Sequence, residues 1–142
     1  MRLVKQPTAN SCTSACLAML TGISVDTIMA DFHPLFRAGG TNSYEYLDTK
    51  GVQYIKHPDL YTIGGDCDGW AYLLSVPSLN EFSQMHNIVV YVDQGNLHIL
   101  DPQQGNGARF YESVSKDFVG VGYHLNGFVP ELKIKIKKGI VK

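Results

Sequence analysis

Gln6-Pro7-Thr8-Ala9-Asn10-Ser11-Cys12-Thr13-Ser14-Ala15-Cys16-Leu17-Ala18-Met19-Leu20 is a polar loop that runs straight into a dense apolar segment. Where the loop gives way to helix, Cys12 stands at the helix start, with Asn10 and Ser11 as candidate caps. That position has a chemical meaning: unpaired N–H groups and the positive end of the helix dipole favour a thiolate over a thiol. Residues 15–20 are apolar all round, so the pattern predicts a helix buried on most sides that holds Cys12 rigidly.

Outward from this helix, Ser24 caps a second predicted helix in which Val25, Ile28, Met29 and Phe32 share one face, and Pro34 limits it. Asn42 followed by Glu45 starts a third helix, closed by Gly51. The remainder reads as strands over residues 52–55, 70–76, 87–92, 96–100 and 132–136, and, where the patterning weakens, as a short helix or strand over 110–118 and a strand over 119–128. Helices first and strands afterward predict an α+β fold, with a C-terminal antiparallel sheet packed on the Cys12 helix. At 142 residues the chain is expected to be one domain, residues 1–142.

Composition excludes several classes. Three cysteines cannot pair completely, and Cys12 and Cys16 lie one helical turn apart, so a reducing compartment is expected rather than a disulfide framework. No apolar run is long enough to span a bilayer, and the N-terminus has no signal-like core, so a cytoplasmic protein without a membrane partner is expected. The net charge of −1 conceals a basic tail, with five of the twelve basic residues and no acid in the last ten positions. Lys133, Lys135 and Lys137 nevertheless alternate with Leu132, Ile134 and Ile136, as on a strand with one buried face, and no aromatics interleave with them. The pattern suits an edge strand guarded by lysines and argues against a nucleic-acid partner.

A thiolate nucleophile needs an imidazole within reach and a group to orient it. Of the five histidines, His33 and His57 precede prolines in loops, and His124 lies where patterning is weak. His86 and His98 flank the best hairpin, and Asp101 is a carboxylate at the end of its apolar second strand. If residues 93–96 form a four-residue loop, Val92 opposes Leu97 and Ile88 opposes Asp101. His86 then lies diagonally across from Asp101 while His98 turns to the other face; a three-residue loop reverses the choice. Taken singly, each residue has an ordinary alternative: Cys12 a small buried hydrophobe, His86 a strand end, Asp101-Pro102 a turn opening, Gln6 a loop residue. A metal site from His57, Asp59, Asp66, Cys67 and Asp68 matches no zinc spacing, and glycine-flanked aspartates read as a solvated turn.

On these residues the chain resembles the papain-fold cysteine peptidases of the bacteriocin-processing type, which clip leader peptides after double glycine, and their short stand-alone relatives in bacteria and phages. The resemblance rests on Gln6 six residues before Cys12, the small-residue helix after it, Leu73-Leu74-Ser75-Val76-Pro77-Ser78, His86 followed by Ile88-Val89-Val90, and the run from Gly95 to Asp101-Pro102. It implies a papain-like fold, Cys12 as nucleophile, His86 as general base, Asp101 as its orienter and Gln6 in the oxyanion hole. It further implies a peptide or protein substrate, no cofactor and no metal, in the cytoplasm of a bacterial cell or phage-infected host. Thr13 stands where that family usually has glycine. The same triad serves acyltransferases and transglutaminases, and a catalytically silent protein-binding module is a further alternative.

Overall fold

Helix α1 (Cys12–Thr21) is buried from Thr13 to Leu20, as its unbroken apolar sequence requires. It ends at Gly22, whose positive φ of 77° lets its N–H reach the Ala18 carbonyl at 2.9 Å. Its start is less conventional. Ser11 occupies the cap position but its hydroxyl turns back to Thr8, accepting from the Thr8 N–H at 2.8 Å and donating to the Thr8 carbonyl at 3.0 Å. The first N–H groups of α1 therefore have no side-chain cap, and Cys12 carries the outermost of them.

These features come from a computed structural model that describes residues 1–58, 67–113, 123–124 and 127–136. Helix α2 (Val25–Asp31) begins at Ser24, whose hydroxyl accepts the Thr27 N–H at 3.2 Å. Pro34 does not merely limit α2. It sits in the first turn of a further short helix, α3 (His33–Arg37), where its missing N–H has no intrahelical acceptor to lose. Helix α4 (Ser43–Thr49) starts at Asn42, which accepts the Glu45 N–H at 2.9 Å as its sequence predicts.

The strands are β1 (Ile55–Lys56), β2 (Trp70–Pro77), β3 (Met85–Asp93), β4 (Asn96–Leu100), β5 (Tyr111–Ser113), β6 (Tyr123–His124) and β7 (Val129–Lys135). Five form one antiparallel sheet in the order β1-β7-β2-β3-β4, while β5 and β6 pair in parallel apart from it. Three expectations are corrected here. Helices number four rather than three among the described residues; the strand expected at 52–55 is displaced to β1; and β7 is interior, paired to β1 on one side and β2 on the other. Its lysines do not guard an edge: Lys133 and Lys135 lie over the Trp70 ring, 4.3 and 5.2 Å from its centroid. The weakly patterned expectations at 114–122 and 125–126, and the tail beyond 136, lie outside the described residues.

The sheet is buried on both faces. Leu73, Val89, Tyr91, Leu132 and Ile134 pack with α1 and α2, and Tyr72, Leu74, Val76, Ile88, Val90 and Tyr111 form a second cluster on the other side. Each fully buried aliphatic side chain contributes about 1.5–3 kcal/mol, so the β2–β3 pair at the centre is the rigid frame of the molecule. No helix among the described residues is long and apolar enough to cross a membrane.

Candidate active site

The β3–β4 hairpin has an even loop. Val92 pairs with Leu97 and Asp93 with Asn96, leaving Gln94 and Gly95 as a two-residue turn with φ of 50° and 78°. Two successive positive φ values match the tight turn that suits the twist of a hairpin, and glycine removes the strain at the second. Counting outward from that turn brings His86 and Asp101 together: Nε2 of the buried imidazole lies 2.7 Å from Asp101 Oδ1. His98, on the alternate face, stacks on Tyr91 with ring centroids 4.6 Å apart.

Asp101 is fully buried, and protein donors hold both of its oxygens. Oδ1 also accepts the Gln103 N–H at 2.9 Å and Oδ2 accepts the Tyr111 N–H at 2.8 Å. Pro102 ends β4 and turns the chain, which aims the Gln103 amide back at the carboxylate. Tyr111 and Gln103 were not legible as participants, because they act through main-chain N–H groups.

With Nε2 committed to Asp101, the ring nitrogen left for the thiol is Nδ1. Burial alone would lower the His86 pKa, but the Asp101 and Cys12 hydrogen bonds and charges outweigh it and raise it from 6.5 to about 9. Burial alone would likewise raise the Cys12 thiol above its ordinary value of 9.0, yet the hydrogen bond and charge of His86, with the Asn87 main-chain N–H, bring it below. Both directions favour moving the thiol proton to the ring, giving a thiolate–imidazolium pair. Cys16, one turn further along and fully buried, moves the other way: burial, then the charges of Cys12, Asp101 and Glu131, push its pKa well up.

Cys12 and His86 open into a cleft of about 270 Å³ whose walls include Asn10, Phe36, Arg37, Glu81 and Met85. A larger hollow of about 800 Å³ lies by Tyr54, Trp70 and Lys135, with neither thiol nor imidazole in its lining, so chemistry rather than size marks the candidate site. Gln6 is buried but does not line the cleft. Its Nε2 donates to the Thr8 carbonyl at 2.9 Å and the Ala9 carbonyl at 3.1 Å, which engages both amide protons in the loop before Cys12. Its Oε1 is buried without a hydrogen-bond partner among the described residues.

The other histidines serve elsewhere. His33 Nδ1 meets Ser14 Oγ at 3.2 Å, His57 lies edge-on to Tyr44, and the side chain of His124 lies outside the described residues. Among the described residues no three His, Cys, Asp or Glu side chains are grouped to hold a metal ion. Asp59 and Asp66 lie outside the described residues, while Asp68 accepts the Gly95 N–H at 2.9 Å as a turn residue does. No family model matches the chain, and no curated protein or solved structure matches it either.

Proposed function

We propose that the chain is a papain-like cysteine peptidase that hydrolyses a peptide or isopeptide amide bond. The observation that carries the reading is that the His86 imidazole, held 2.7 Å from the buried Asp101 carboxylate, lines the same cleft as the Cys12 thiol at the start of α1. In the proposed reaction the Cys12 sulfur attacks the amide carbonyl and the His86 proton passes to the leaving amine as the C–N bond breaks. Water then attacks the thioester, giving its proton to His86, and the acid product leaves as the thiolate returns. Asp101 holds the ring in one tautomer and stabilises its charged form. The uncapped Cys12 N–H at the start of α1 is a ready oxyanion donor. Gln6 can be the second donor once its amide swings away from the Thr8 and Ala9 carbonyls.

That engagement of Gln6 is the observation favouring a second reading, a catalytically silent module of the same fold that binds a protein. Reaction with an electrophilic thiol probe, followed by mapping of the modified residue, separates the two. A peptidase gives rapid, selective modification of Cys12 at neutral pH, whereas a Cys12 no faster than a thiol in an unfolded peptide sinks the peptidase reading. Transfer to an amine in place of water would appear as a ligated rather than a hydrolysed product.

A further inference from the structure

The residues that follow the nucleophile and the base in sequence are bonded to each other. Thr13 Oγ1, next to Cys12, donates to Asn87 Oδ1, next to His86, at 2.6 Å. Thr13 also lies 4.0 Å from the Cys12 sulfur, but its single hydroxyl proton goes to the much nearer amide oxygen. The other end of the Asn87 amide is fixed just as firmly. Its Nδ2 donates to Glu131 Oε2 at 2.7 Å and to the Leu74 carbonyl at 3.1 Å, so the amide cannot turn its nitrogen toward Thr13 without losing both.

Glu131 is there because of a break in the sheet. Between β2 and β7 the register runs Leu73 with Leu132 and then Leu74 with Pro130, leaving Glu131 as the extra residue of a bulge. Strict alternation would send its side chain to the Lys133 and Lys135 side. The bulge re-aims it beside Asn87, where Ser75 Oγ also donates to Oε2 at 2.8 Å. The displaced main chain is satisfied too, since the Glu131 carbonyl accepts from the His57 N–H at 2.9 Å and from the Tyr44 hydroxyl at 3.0 Å. A polar chain thus runs from the sheet bulge to the start of α1, and hydrophobic packing at these positions would need none of it.

Resting on the peptidase reading above, we propose that Thr13 and Asn87, with Glu131 behind them, are positioning residues that set the approach of the Cys12 sulfur to the His86 ring. The clamp crosses from helix to strand one residue beyond each reacting group, so it fixes their separation, and both of its residues border the cleft beside Cys12 and His86.

The test is the pH profile of Cys12 alkylation by iodoacetamide, with thermal unfolding measured alongside. Thr13→Val keeps the shape and removes the hydroxyl; Thr13→Ser keeps the hydroxyl. Thr13→Val is expected to shift the profile toward that of an ordinary thiol and to slow alkylation at pH 7 by about two- to tenfold, the worth of one net hydrogen bond. Thr13→Ser is expected to keep the wild-type profile. Asn87→Ala, which removes the clamp but leaves the Thr13 hydroxyl beside the sulfur, is expected to shift the profile in the same direction, and it carries the test if Thr13→Val does not fold. A shift in Thr13→Val with none in Asn87→Ala assigns the effect to the direct Thr13–sulfur contact and overturns the positioning role. A folded variant with lower thermal stability but an unmoved profile overturns the positioning role, as does a Thr13→Ser that behaves like Thr13→Val. A wild-type Cys12 that itself titrates as an ordinary thiol overturns the peptidase reading instead, so the two failures are distinguishable.

Discussion

Nε2 of His86 lies 2.7 Å from Oδ1 of Asp101, both groups are buried, and the two residues are brought together by one tight hairpin turn. The pairing leaves a single ring nitrogen for chemistry, in the cleft that the thiol at the start of α1 also lines. If this is a catalytic unit, removing either reacting member should be nearly as damaging as removing both. Cys12→Ala and His86→Ala are each expected to lower turnover by on the order of 10⁴-fold or more. His98→Ala, which deletes a ring stacked on Tyr91, should cost about 0.5–1.5 kcal/mol of stability and leave turnover unchanged. Turnover measured on the three purified variants checks this, and a loss in His98→Ala that matches His86→Ala would contradict the assignment.

The thiols should differ sharply in reactivity. Cys16 is fully buried with its pKa pushed well up, so under native conditions a probe should modify Cys12 and spare Cys16. Peptide mapping after brief labelling reads this directly, and early modification at Cys16 would mean that the helix opens far more readily than its packing implies.

Stability should fall on the alkaline side for a reason that can be traced to His86. Its pKa in the folded chain is raised from 6.5 to about 9, so its contribution is complete below pH 6.5 and is lost as the pH rises toward about 9. The Cys12 pKa is lowered from 9.0, so its contribution is present above that value and is lost as the pH falls through the folded pKa. Denaturant unfolding of wild type and His86→Ala, compared at pH 6 and pH 10, should show a larger difference at pH 6. An equal difference at both would mean that His86 does not bind its proton more tightly in the folded chain.

Much of this arrangement was legible because it follows from local rules. The apolar run after Cys12 could be little other than a buried helix, and Asn42 with Glu45 and Ser24 ahead of Val25 mark their helices by the chemistry of capping. The choice of His86 over His98 followed from counting pairs away from the turn, and Gln94-Gly95 gave the even count it required. What escaped was what tertiary context decides. Pro34 is compatible with ending one helix or starting another, and the strand order that places β7 inside the sheet is a long-range fact. Asn87 and Glu131 carried no local sign of a role, because the bulge that joins them depends on the pairing of β2 with β7. Gln6 was legible by its offset from Cys12, yet the direction of its amide was not.

Gln6 gives a prediction in which two roles diverge. As a clamp on the loop, its NH₂ group must face the Thr8 and Ala9 carbonyls, so Gln6→Glu sets a carboxylate against two carbonyl oxygens and should destabilise more than Gln6→Ala. As an oxyanion donor it should lower turnover in both variants by about 10²–10³-fold without slowing the alkylation of Cys12, which forms no oxyanion. Thermal unfolding read beside turnover and alkylation separates the roles. Loss of stability with full turnover would leave Gln6 as a loop clamp and the Cys12 N–H in need of another partner.

Asp101→Asn is the most demanding test, because the side chain has two duties that asparagine divides. The carboxylate accepts from His86 and the Gln103 N–H through one oxygen and from the Tyr111 N–H through the other. An asparagine has one acceptor oxygen, so its NH₂ must face a donor on one side or the other. With Asp101 fully buried, that conflict should cost about 1–3 kcal/mol of stability, more than a residue that merely opens a turn would lose. Where the amide oxygen stays on His86 the ring keeps its orientation but loses its countercharge, so the imidazolium is less stable and the His86 pKa falls from about 9 toward its ordinary value. The alkaline limb of the turnover profile should then move to lower pH. The acid limb should move to higher pH as the thiolate loses part of its charged partner, which narrows the active range from both sides. Turnover at the optimum should be reduced but not abolished, and by less than in His86→Ala, because the hydrogen bond survives. A variant with wild-type turnover and both limbs in place would reduce Asp101 to a structural residue, and the charge that raises His86 would have to come from another group.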